Sequence, residues 1–230
     1  MHKLERITEQ IRQAFDARAA ARDKALTQAR ALTRACALSI RAAHRGEADV
    51  MQAHLREGRK LANALRNDLS QHPDLYYAGY TQDALKEYAE ANIACALINN
   101  QSLPTPEELD VPHYTYLNGL AEAVGELRRR ILDILRHGYS EEAEHLLGHM
   151  DDIFAALVTM DYPDAITGGL RRQTDVTRSI IERTRGDITF SLRGEHLERS
   201  IACLSAQLSG EQAQQDEAIA SLRPFEDDQA

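Results

Sequence analysis

The chain has 230 residues, of which 43% are hydrophobic and 27% charged, with only 12 Gly and 6 Pro. It is too apolar for a disordered chain and too poor in Gly and Pro for a collagen-like or linker-rich one. The net charge of -9 is split, since residues 1–70 carry 14 Lys/Arg against 8 Asp/Glu and the remainder 13 against 28, which fits either two surfaces, one facing phosphate and one holding metal or repelling, or a solvated helix face with mixed charges.

The chain reads as helix almost throughout. Leu4 to Arg45 is rich in Ala, Arg, Leu and Gln and contains no Gly or Pro, so it predicts a first long helix ended by Gly46. Ile7, Ile11, Ala14 and Phe15 open its apolar stripe, and Leu26, Ala29, Leu32, Cys36 and Ile40 continue it. Val50, Met51, Leu55, Leu61, Leu65 and Leu69 give a second amphipathic helix that Pro73 stops or follows with a new one. A third helix is expected from about Asp74 to Asn100, then a loop through Pro104 and Pro106 to Pro112. The fourth runs from about Tyr114 to His137 and the fifth from about Ser140 to Met160, with Ser140, Glu141 and Glu142 as start signals. A turn region over 161–169 precedes a last long helix from Leu170 to Leu208, which Gly210 is expected to break. No alternating pattern predicts a strand, and no internal repeat marks a second domain. The fold class expected is all-α, a single bundle of about six or seven long helices. Helices of this length offer surfaces that bury against other copies.

Several features bear on chemistry. Glu87 and Glu90 stand at i and i+3, on one helix face, beside the apolar run Ile93 to Ile98. Two such carboxylates repel unless a cation or a shared proton lies between them, so they are candidate ligands for a divalent metal or else a solvated pair. Glu122 and Glu126 stand at i and i+4 on the fourth helix, where Gly119 and Gly125 allow close helix approach and Arg128, Arg129 and Arg130 follow. On the fifth helix Asp151 borders the apolar face by helical angle and Asp152 points away from it. Acids from three helices can form an oxygen-donor site for a hard cation. Arg18, Arg22, Arg30, Arg34, Arg41 and Arg45 on the first helix, with Arg171 and Arg172 on the last, are candidates to track a phosphate backbone. Tyr76, Tyr77, Tyr80 and Tyr88 supply aromatic faces near the acids. Glu142 and His145 form a single Glu-x-x-His pattern, of which a di-iron bundle needs two.

Other chemistries lack their signals. There is no Gly-rich phosphate loop, no Cys-x-x-Cys pair and no Gly-x-Ser-x-Gly elbow. No apolar run of about 18 residues predicts a membrane span, and Met1 to Arg6 has no apolar core of a secretory signal. Cys36, Cys95 and Cys203 are odd in number and far apart, which predicts reduced thiols in a cytoplasm.

Five segments, in this order and spacing, carry a resemblance: Phe15-Asp16-Ala17-Arg18 leading through Arg34 and Arg41 to His44-Arg45; Tyr77-Ala78-Gly79-Tyr80 with Leu85 to Ala91; Tyr116 to Leu120 with Val124 to Arg128; Met150 to Phe154; and Thr184 to Asp187 with Leu192-Arg193-Gly194. Over about residues 5–200 the chain resembles the translin superfamily, in particular its archaeal members and the translin-associated factor X branch of C3PO. The resemblance implies a translin-like helical domain over 1–208 with a polar C-terminal helix or tail over 209–230. It implies an octamer-like closed shell, binding of single-stranded RNA or DNA, and Mg²⁺- (or Mn²⁺-) dependent endoribonuclease activity. It assigns the catalytic Glu-x-x-Glu to Glu87 and Glu90 and a catalytic Asp to Asp152 or Asp151, depending on whether Phe154 or Met150 fixes the register. Glu126, in the Gly-Glu-Leu motif, completes the implied cluster.

The leading expectation is therefore a cytoplasmic homo-oligomer that cleaves single-stranded RNA. The catalytic set is Glu87, Glu90, Asp151 and Asp152, and the metal set is Glu87, Glu90, Glu126 and Asp151. The nucleic-acid set is Arg18, Arg34, Arg41, Arg45, Arg171 and Arg172. The rivals are a non-catalytic single-strand binding module and a ferritin-like metal bundle.

Overall fold

The computed structural model describes the backbone of residues 2–221 and the side chains of 2–207. Among the described residues all regular structure is helical, in the order α1 His2–His44, α2 Ala48–Asp68, α3 Pro73–Tyr76, α4 Gly79–Ile98, α5 Pro106–Leu109, α6 His113–Leu135, α7 Glu141–Val158, α8 Asp164–Thr167 and α9 Leu170–Ser221. No helix among them is long and apolar enough to cross a membrane.

Local signals set most boundaries. Gly46 takes the left-handed conformation, with φ +71°, and the amides of Gly46 and Glu47 close onto Ala43 O and Ala42 O at the end of α1. Ser140 caps α7, its Oγ accepting from Glu142 N at 3.2 Å. Three expected segments resolve differently. The third helix is split into α3 and α4 because Ala78 is extended (ψ 146°); Thr81 Oγ1 donates to Leu75 O and Gln82 Nε2 to Tyr76 O, each at 2.8 Å, so side chains satisfy carbonyls that the break frees. The loop before Pro112 contains α5, started by a capping box in which Thr105 Oγ1 accepts from Glu108 N and Glu108 Oε2 accepts from Thr105 N. Gly210 does not break α9, which runs on to Ser221. One glycine inside a long helix costs only about 1 kcal/mol, and its neighbours Gln, Glu and Ala are helix formers.

The bundle is built around α4. α1 packs on α2 and α4, α4 packs on α6, and α6 in turn carries α7 and α9. Leu32, Leu65, Leu85, Ile93, Leu127, Ile131, Leu146 and Met150 are fully buried among these helices. Small residues bring α4 and α6 together: Ala89 and Ala123 are wholly buried, and a Cβ on Gly119 would lie 2.9 Å from Ala89 Cβ, 2.9 Å from Lys86 O and 3.0 Å from Glu90 N. Gly125 plays no such part, since a Cβ there meets open space.

At 1.5 Å per residue α1 is about 65 Å long and α4 about 30 Å, so α1 and α9 overrun the bundle. The overhanging parts leave Leu4, Ile7, Ile11 and Phe15 on α1, and Phe190, Leu197, Ile201 and Leu204 on α9, exposed in the single chain.

Candidate metal centre

The close approach at Gly119 sets the site. Glu87 and Glu90 leave α4 one turn apart on the same face, and Glu122 on α6 stands one turn beyond Gly119, facing them. One carboxylate oxygen from each of the three lies within 4.8 Å of the others, and all three residues are half-buried. Burial, followed by the charges of Glu122 and its neighbours, raises the pKa of Glu87. Glu90 is pushed up to about 8, first by burial and then by the charges of Glu87, Glu122 and Glu126.

The protein supplies little positive charge to offset this. Lys86 Nζ donates to Glu122 Oε1 at 2.8 Å and Gln173 Nε2, from α9, donates to the same oxygen at 3.1 Å. Burial works against the Lys86 ammonium, but the bond and charge of Glu122, with Asp83 and Glu87, raise its pKa all the same. One ammonium thus faces three carboxylates, and one of those keeps its proton to near pH 8. The donor set is all oxygen and anionic, as Mg²⁺ or Mn²⁺ prefers. Two oxygens on one Mg²⁺ lie at most about 4.2 Å apart, within a small side-chain rotation of the observed cluster.

The other acids singled out from the sequence go elsewhere. Glu126 Oε2 lies 2.6 Å from His44 Nε2, a ring with 5% of its side chain exposed. That hydrogen bond outweighs burial and, with the charges of His44 and Arg129, holds the Glu126 carboxyl below its ordinary range. Glu126 therefore borders the centre as a charge, with its Oε2 held by histidine and outside the three-acid cluster. Asp151 accepts from Arg185 on α9 through both oxygens at 2.8 Å, and Asp152 is exposed. Among the described residues neither joins the three-acid cluster. Glu122, which the sequence marks only as the i−4 neighbour of Glu126, takes the place expected of Glu126 and Asp151 beside Glu87 and Glu90. Its signal was its position one turn after Gly119.

The arginines also separate. Arg18 is held by Asp74. Arg128 donates to Thr184 Oγ1 and pairs with Asp187 at 2.9 Å, while Arg130 pairs with Glu142 at 2.7 Å. That pairing takes Glu142 out of any Glu-x-x-His ligand set, and His145 instead packs edge-on against His149, ring centroids 4.4 Å apart. Arg34 lines a hollow beside Glu87. Arg41 and Arg45 are exposed near the end of α1. Arg172 lines a second hollow with Lys86 and Gln173, and Arg171 faces a third with Asp161 and Tyr162. Of the tyrosines, Tyr80 lines the hollow beside Glu87, Tyr88 is buried over Gly58, and Tyr76 stacks edge-on with Tyr77. Cys36 and Cys95 are buried and free, and Cys203 is exposed; burial pushes the Cys95 thiol up to about 12, which keeps it protonated.

No family model matches the chain. It is 32% identical over 184 residues to an uncharacterized protein of Methanocaldococcus jannaschii, a match that spans 77% of this chain and 81% of that one. Among solved structures it is similar to AfC3PO, with a TM-score of 0.75 at 29% identity over 81% of this chain and 97% of that one. It is equally similar to AfC3PO solved as a duplex RNA complex, with a TM-score of 0.75 at 30% identity over the same shares. The likeness to apo-NeC3PO, with a TM-score of 0.74 at 20% identity over 80% of this chain and 96% of that one, is one of fold alone. Identity sustained over most of both chains, together with the helical architecture of C3PO, makes this chain a member of the translin superfamily.

Proposed function

We propose that the chain is a Mg²⁺- or Mn²⁺-dependent endoribonuclease acting on RNA strands. The observation that carries this reading is the convergence of Glu87, Glu90 and Glu122 within 4.8 Å in a half-buried setting. The similarity to a C3PO solved as a duplex RNA complex supports RNA as the substrate class. When bound, a divalent cation supplies charge stabilisation to a phosphodiester and acidifies a water molecule.

The residues of the chain prepare the site for this. Glu87, Glu90 and Glu122 present the oxygen ligands. Lys86 and Gln173 fix Glu122 through their two bonds to Oε1. Glu90 gives up its proton on loading, so cation binding releases protons below about pH 8. His44 fixes Glu126 at the border of the centre through Oε2, where it adds negative field. The exposed apolar side chains on the overhangs of α1 and α9 support assembly into a homo-oligomer.

The test is cleavage of internally labelled RNA, single-stranded and duplex, with Mg²⁺ and with EDTA. Parent protein is expected to cut with Mg²⁺ only, and Glu87→Gln, Glu90→Gln and Glu122→Gln to cut at background rate. Variants that cut as fast as the parent would remove the centre from the reaction. A second reading, a strand-binding module whose acids are structural, draws on the Lys86–Glu122 ion pair, which already offsets one of the three charges. It predicts salt-sensitive RNA binding with no product under any metal condition.

A further inference from the structure

The metal centre is bordered on the α1 side by a cleft of about 410 Å³. Its floor is apolar, made by Leu26 and Ala29 of α1 and Ala84 of α4, with Tyr80 at one side. Two carboxylates line it on the α4 side, Asp83 and Glu87, and Glu87 also belongs to the acid cluster. Arg30 and Arg34, also lining the cleft, stand at i and i+4 and therefore on one face of α1. Both are exposed, and no carboxylate among the described residues pairs with either, unlike Arg18, Arg128, Arg130 and Arg185. The hollow across α4 differs in kind. There Lys86 and Gln173 are committed to Glu122, and the remaining lining is largely polar.

An apolar floor with two uncommitted guanidinium groups on its rim matches a nucleotide, whose base has an apolar face and whose phosphates accept paired N–H donors. We infer that the α1–α4 cleft seats the nucleotide next to the cleaved bond, with its base on Leu26, Ala29 and Ala84 against Tyr80 and its phosphates on Arg30 and Arg34. The inference rests on the nuclease reading for the place of the cut, since Glu87 is the wall shared by cleft and centre. It assigns Arg30, which no family motif marks, a role equal to that of Arg34.

The experiment is fluorescence anisotropy of a fluorescein-labelled single-stranded oligouridylate with the full chain in EDTA, where no cleavage interferes, repeated over a salt series. Two lost phosphate contacts on a single strand lower the slope of log affinity against log salt by about 1.4. Arg30→Gln/Arg34→Gln is therefore expected to bind about 25-fold more weakly at 0.1 M salt, on a 1 M reference. Ala37→Trp, at an exposed position on the cleft mouth, is expected to weaken binding with the slope unchanged, because it blocks the base and leaves the charge. Lys60→Ala, an exposed cation of α2 outside the cleft lining, serves as control. A parent slope in the double variant, parent affinity in Ala37→Trp, or no binding by the parent chain each overturns the inference. Glu122→Gln, in the acid cluster but outside the cleft lining, separates the two readings: retained binding with lost cleavage supports the centre whatever the cleft variants do, and retained cleavage removes the centre without touching the cleft result.

Discussion

If Glu90 keeps its proton to about pH 8 in the metal-free fold, the protein without metal becomes less stable as pH rises from 5 to 8.5. The sign follows from the proton balance. Below the ordinary carboxyl value of 4.5 folded and unfolded chains both hold the proton, and full stability is present. Above it the unfolded carboxyl ionises first, and stability is lost until the folded group also ionises near 8. At 1.36 kcal/mol per pH unit that interval sets a ceiling of about 5 kcal/mol. Partial exposure and sharing of the charge with Glu87 reduce the effect to about 2–3 kcal/mol, or about 5–10 °C in melting temperature for a chain of this size. Glu126, shifted down by His44, does not mask the trend, and His149, shifted down by burial, opposes it equally in parent and Glu90→Gln and so cancels in their comparison. The assay is thermal melting by circular dichroism at pH 5 and pH 8.5, with EDTA and with Mg²⁺. The parent in EDTA is expected to melt lower at pH 8.5, Glu90→Gln to lose most of that dependence, and Mg²⁺ at about 100 times its Kd to return about 2.7 kcal/mol to the parent alone. Equal melting of parent and Glu90→Gln at both pH values in EDTA would refute the crowded-carboxylate account of the site.

Four other substitutions probe the remaining geometry. Gly119→Ala places a methyl against backbone of α4 that cannot step aside; it is expected to cost about 1–3 kcal/mol and to weaken Mg²⁺ stabilisation by parting Glu122 from Glu87, both read from melts with and without the ion. Asp151→Asn breaks a partly exposed pair with Arg185, so urea titration is expected to show a loss below about 1 kcal/mol, with RNA cleavage unchanged. Leu127→Ala empties a fully buried position on α6 and is expected to cost about 2–5 kcal/mol in the same titration. Phe190→Ser, on the α9 overhang where the ring is 81% exposed, is expected to lower the sedimenting mass of the protein while leaving its helical signal intact.

The helices were legible because their signals are local. Long runs of Ala, Leu, Arg and Gln, a glycine at 46 and a serine at 140 specify starts and stops within a few residues of chain. What escaped was also local but needed partners that a linear reading does not supply. The break at Ala78 is held by Thr81 and Gln82 reaching back to carbonyls of the preceding turn, and Thr105 turns part of an apparent loop into α5 through its pairing with Glu108. The Glu87–Glu90 pair was legible as a shared face for the same reason, because i and i+3 fix it within one helix.

The third acid was not legible from its own helix. Helical angle says that Asp151 borders the apolar face of α7, but not which neighbour that border meets. α7 lies mainly on α6 and α9, so the border of its apolar face reaches Arg185 instead of α4. Glu126 was suggested by a motif, yet one turn along α6 the bundle presents His44 from α1, and that ring takes the carboxylate. Glu122 meets Glu87 and Glu90 because Gly119, one turn before it, has no side chain to hold α4 away. The centre is thus a consequence of a helix crossing. The acid that completes it is found by asking which carboxylate stands one turn from the point of closest backbone approach, and neither charge pattern nor apolar periodicity carries that information.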